Sequence, residues 1–92
     1  MKDSTMPGGW TAYSTNISKE AQEVFDAVTK HLFGVKYEPV AVATQVVSGL
    51  NYSFFCNAQV VKPESPWYPV IMDVYKPLNE DPRILEIKKL HQ

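Results

Sequence analysis

From Leu50 to Val61 the side chains alternate. Leu50, Tyr52, Phe54, Cys56, Ala58 and Val60 form one set, and Asn51, Ser53, Phe55, Asn57, Gln59 and Val61 the other. A period of two puts each set on its own face of a β-strand. The first suits a buried face and the second, apart from Phe55 and Val61, a wet one. Val40, Val42, Thr44 and Val46 repeat the alternation on a preceding strand, and the Ser48-Gly49 step between the two runs is a hairpin signal. Lys62 to Pro66 then reads as a connection, Trp67 to Tyr75 as a strand, Pro77 to Pro82 as a second turn, and Ile84 to Leu90 as the last strand.

Upstream the period is helical. Ala21, Val24, Phe25, Val28 and Leu32 form one apolar stripe, with Lys19, Glu20, Glu23, Asp26 and Lys30 on the other sides. Ser18 is the expected N-cap and Gly34 the expected C′ residue, with Lys30 and His31 near the carboxyl end of the dipole. Trp10 to Thr15 is aromatic and β-branched enough for a short first strand, and residues 1–9 read as a mobile arm. The order β-α-β-β-β-β predicts an α+β fold, a single amphipathic helix packed across a five-stranded antiparallel sheet. In the meander of the last four strands, the Ser48-Gly49 and Pro77–Pro82 turns emerge at the same end. The direction of the first strand is left open.

Composition narrows the function classes. The chain has 92 residues, 45% of them hydrophobic and 12% aromatic, enough for one core in a single domain over residues 1–92. Its net charge of -1 lacks the basic surplus that displaces counterions from phosphates, so no nucleic-acid partner is expected. No apolar run approaches the ~20 residues of a membrane helix, and Met1 to Gly9 has no signal-like apolar stretch, so neither a membrane nor secretion is expected. Cys56 is the lone cysteine and cannot form an internal disulfide. A small domain without staples fits a reducing compartment, and a cytoplasmic location is expected.

Catalytic constellations are scarce. Cys56 lies mid-strand on the buried face, where a thiol is a small apolar core residue more simply than a nucleophile. His31 and His91 have no Cys or His at metal-ligand spacing, and Glu80-Asp81 beside Pro82 reads as a solvated turn. No metal, cofactor or catalytic residue is expected, and the chain does not read as an enzyme. A small enzyme using Cys56 or His31 is the weaker reading. Surface chemistry says more: Val46 and Val47 stand at a hairpin tip, either as a partner surface, or with Val46 in the core and Val47 under the arm.

Gln45-Val46-Val47-Ser48-Gly49, followed by Leu50-Asn51-Tyr52, resembles the Gln-x-Val-x-Gly first hairpin loop of the cystatin superfamily. Met6-Pro7-Gly8-Gly9 is similar to the glycine-bearing amino-terminal trunk of that family. Val74-Tyr75-Lys76 with Pro77-Leu78-Asn79 resembles the strand and second binding loop of its stefin branch. The likeness runs from Met6 to about Leu90 and reproduces the element order read above. It departs at Ser48, where Ala is common, and in the second loop, where many stefins have Leu-Pro-Gly and a longer connection. Pro66-Trp67 is similar to a loop of secreted cystatins, but two strands' worth of sequence follows it, so it belongs to the far end.

The resemblance implies a tight-binding, reversible inhibitor of papain-like, cathepsin-type cysteine proteases. It implies that Met6, Pro7, Gly8, Gly9, Gln45, Val46, Val47, Ser48, Gly49, Pro77, Leu78 and Asn79 are protease-binding, the trunk and two loops plugging the active-site cleft. The alternative is a cystatin-fold module that binds another peptide or protein and inhibits nothing. A monomer is expected, with hairpin exchange through the valine-rich Val40–Val61 segment as a route to a domain-swapped dimer.

Overall fold

Ser18 starts the helix as its type requires. Its backbone is extended, and its hydroxyl accepts from the Ala21 N–H at 3.1 Å, satisfying a donor with no partner inside the helix. In the computed structural model, which describes residues 8–90, helix α1 runs Lys19–Thr29. It buries Ala21, Val24 and Phe25, with Val28 and Leu32 packed against the same core. The helix stops earlier than its apolar stripe does. The Thr29 hydroxyl donates to the Phe25 carbonyl at 2.8 Å, Lys30 is the cap, and Leu32 N–H turns back to the Thr29 carbonyl. Lys30 and His31 therefore lie beyond the last turn. Gly34, with φ +91°, is not the C′ residue but the bend into the sheet, its carbonyl accepting from Val61 N–H.

The sheet has four strands: β1 Val35–Val47, β2 Gly49–Val60, β3 Trp67–Lys76 and β4 Arg83–Lys89, antiparallel neighbours in chain order. The expected fifth strand does not form. Residues 8–14 run antiparallel along the outer edge of β1, but only Trp10–Gln45 and Ser14–Val42 make bridges. The reason is a mismatch of step. Thr11 N–H reaches the Thr44 carbonyl, and Ser14 exchanges both of its bonds with Val42, so three residues on one side span two on the other. The Thr44 N–H is meanwhile taken by the Thr11 hydroxyl at 3.0 Å.

β1 departs from simple alternation at one point. Pro39 pairs with Cys56 and Ala41 with Phe55, leaving Val40 as an extra residue. A proline with no N–H to donate is tolerated at such a bulge. Upstream of it Val35 and Tyr37 pack on the core, and downstream Val42 does, so Val40 is out of phase with the set it was read with. Leu85 is the corresponding extra residue in β4, between Ile84 opposite Val74 and Glu86 opposite Asp73.

β2 and β3 carry the centre of the core. Phe54 lies opposite Met72, Cys56 opposite Val70 and Tyr52 opposite Val74, all buried. The Phe25 ring meets Phe54 edge-on at 5.0 Å, locking helix to sheet. Burying a side chain such as Phe54 contributes about 1.5–3 kcal/mol. Val60, expected on the buried face, is 38% exposed at the strand end, and the ring of Trp67, 43% exposed, lies under the Lys36 ammonium. On the face away from the helix, Ala41, Ala43 and Ser53 are also buried, and the Tyr13 hydroxyl bonds Ser53 Oγ at 2.5 Å. Among the described residues no helix is long and apolar enough to cross a membrane.

Candidate functional site

The register brings three chain segments to one end of the sheet. Val47 pairs with Gly49 across the first turn, and Leu50 pairs with Lys76, so the second turn begins beside the first. The edge segment settles the direction that pattern left open. It runs antiparallel to β1, so Gly8 lies at this same end and donates its N–H to the Val46 carbonyl at 3.1 Å. Segment, first hairpin and second hairpin thus stand in a row. At ~4.8 Å per strand spacing, the row is roughly 15–20 Å long.

The tips are apolar and exposed: Val46 is 41%, Val47 39% and Leu78 70% accessible. Ser48, Asn79 and Gly8 are also exposed, Gly9 and Gln45 are half-buried, and Gly49 and Pro77 are buried. Met6 and Pro7 lie outside the described residues. Nothing in the core holds Val46 or Val47, so the reading with Val46 in the core does not hold.

Side chains tie the three segments together. The Tyr75 hydroxyl donates to the Ser48 carbonyl at 2.6 Å, linking the strand before the second turn to the tip of the first. Gly49 has φ +102° and its α-carbon faces the Lys76 carbonyl and Pro77. A recess of about 220 Å³ remains between the hairpins, lined by Gly49, Leu50, Lys76, Pro77 and Leu78. Lys76 Nζ donates to the Pro77 carbonyl at 2.8 Å. Gln45 donates its amide to the Gly8 carbonyl at 3.0 Å and accepts from Asn51 Nδ2 at 2.8 Å.

Asn51 and Tyr75 were not among the expected site residues. Gln45, Asn51, Tyr75 and Arg83 are consecutive register partners on one face of the sheet, a polar row just behind the tips. The Arg83 guanidinium covers the Tyr75 ring at 5.0 Å. The signal that could have found Asn51 was its place opposite Gln45 once the turn is fixed at Ser48.

The groups weighed for catalysis lie elsewhere. Cys56 is fully buried, and burial pushes its thiol up to about 12, so it is not a thiolate at neutral pH. His31 is exposed after the helix, Glu80 and Asp81 are exposed in the second turn, and His91 falls outside the described residues. Among the described residues no three His, Cys, Asp or Glu side chains are grouped to hold a metal ion. What the tips offer is aliphatic surface and backbone in a fixed shape, which suits docking into a cleft. No protein-family model, no curated protein and no solved structure matches the chain.

Proposed function

We propose that this protein is a stefin-like, reversible inhibitor of papain-like cysteine endopeptidases, acting in the cytoplasm without a cofactor. The observation that carries the reading is the convergence of the Gly8 segment, the Val46–Gly49 hairpin and the Pro77–Asn79 turn in one row. These are the segments whose sequences resemble the family's binding elements.

The physical logic is occlusion without hydrolysis. A papain-like cleft takes an extended peptide with one carbonyl placed for attack by the thiolate. A closed hairpin keeps its carbonyls in ladder bonds and cannot offer one in that geometry. Val46, Val47 and Leu78 would fill the cleft on either side of the nucleophile, each fully buried aliphatic contributing about 1.5–3 kcal/mol before ordering costs. Those costs are small here, because the Tyr75 bond to Ser48 and the ladder of β1 and β2 already hold the tips. Met6 and Pro7 would extend into the non-primed side, with Gly8 and Gly9 passing near the thiolate.

Titration into a papain assay tests the reading, with sub-micromolar, reversible inhibition as the expected result. Full protease activity at high molar excess would retire it in favour of a binding module that inhibits nothing.

A further inference from the structure

The Gly8 carbonyl sets the polarity of a short chain of amides. A carbonyl only accepts, so Gln45 turns its amide N–H toward Gly8, at 3.0 Å, and its oxygen toward Asn51. That oxygen also only accepts, so Asn51 presents its own N–H, at 2.8 Å. Gly8 is held at its other side too, through its N–H to the Val46 carbonyl. Because Gln45 and Asn51 are direct partners in the β1–β2 register, the hairpin itself orients both amides.

We propose that Gln45 and Asn51 are positioning residues that hold the Gly8 segment against the first hairpin before any partner arrives, with Asn51 acting through Gln45. The arrangement answers a specific weakness. Gly8 has φ +85°, and among the described residues nothing stands within 4 Å of where a Cβ would be, so it loses more freedom on ordering than other residues and gains no side-chain packing. Beyond Gly8, the next N–H of the segment that bonds β1 is that of Thr11, to the Thr44 carbonyl. Two bonds at Gly8 close the segment down at the end where the tips are, and order it in advance of binding. The ordering is a property of the free protein. Its effect on affinity rests on the inhibitory reading above.

Two isosteric variants break the relay in different places. Gln45→Glu leaves an acceptor facing the Gly8 carbonyl. Asn51→Asp removes the donor to Gln45 and draws the Gln45 N–H away from Gly8. In both, amide exchange at Gly8 measured by NMR should accelerate about tenfold or more, while exchange at Phe54 and Met72 stays as in the parent. Should Asn51→Asp lose protection in the core, Asn51→Ala removes the same donor without adding charge. Unaccelerated Gly8 exchange in a folded variant overturns the proposal, and does so with no protease present. In the papain titration, Asn51→Asp should weaken inhibition about tenfold in the full chain and not at all in a chain lacking residues 1–8, where the Gly8 carbonyl is gone. Equal losses in the two backgrounds overturn the positioning role and leave Asn51 as a support of the hairpin alone. Failure of the parent chain to inhibit bears on the inhibitory reading and leaves the exchange result standing.

Discussion

At Gly49 a single added carbon would meet the neighbouring hairpin. A Cβ there collides with the Lys76 carbonyl and comes within 3.0 Å of Pro77 Cα, and φ is +102°. Gly49→Ala should therefore cost about 2–4 kcal/mol, combining left-handed backbone strain with overpacking against a backbone that cannot swing aside. Urea titration measures it, and a loss below about 1 kcal/mol would mean the second turn relaxes freely. The buried thiol of Cys56 gives a second residue-scale expectation. Below pH 9.0 folded and unfolded chains both keep the thiol proton. Between there and about 12 the unfolded chain ionises while the buried thiol does not, so stability falls as pH rises through that window. Burial raises Tyr37 and Tyr52 as well, adding to the fall above their ordinary 10.0. The urea midpoint should drop between pH 9 and about 10.5, and Cys56→Ala should flatten that slope. Much of this scale was legible in advance. Period two put Cys56 in the core, and the Ser-Gly step marked a turn that needs glycine. The need for Gly49 to clear Lys76 was not legible, because it depends on a strand 27 residues further on.

Elements were legible where their signals are local. Ser18 opened α1 as a capping hydroxyl should, and the four strands lie close to where alternation and turn residues placed them. Errors came where one element answers to another. The α1 stripe continues to Leu32, which does reach the core, but in a turn after the helix has ended. Val40 alternates correctly in sequence and is thrown out of phase by the bulge beside Pro39. Trp10 to Thr15 has strand composition yet falls out of step with β1. For the first hairpin the expectation is now sharp. Val47 pairs across the turn with Gly49 and is 39% exposed, so an aspartate there meets solvent. Val47→Asp should lower stability by no more than a surface substitution does, about 0.5 kcal/mol, leaving the thermal midpoint near the parent's, while on the proposed inhibitory reading it weakens papain inhibition at least tenfold. A midpoint that collapses as for a core lesion, or inhibition that survives, would remove Val47 from the site.

For the whole molecule, the common end of the two hairpins follows from meander connectivity and was legible, while the arrival of Gly8 at that end was not. Nothing in Trp10 to Thr15 encodes whether it runs up or down the sheet. That is decided by where α1 must begin if Ala21, Val24 and Phe25 are to lie over Phe54 and its neighbours. The edge segment has a consequence for how the protein behaves at high concentration. A sheet edge with free N–H and carbonyl groups is a template for a neighbour's strand, and this sheet guards its edges unevenly. β4 has the Leu85 irregularity and Arg83, Lys88 and Lys89, and the start of β1 has Pro39 with its extra residue. The stretch of β1 from Val42 to Val46 has no such device of its own and leads into exposed valines. Its cover is the segment from Gly8 to Ser14, pinned to the sheet by Tyr13 on Ser53. Proteolytic trimming past Ser14 would bare that edge to a neighbour's strand and make the clipped chain prone to aggregate, so the same few residues that complete the row of tips also guard the sheet.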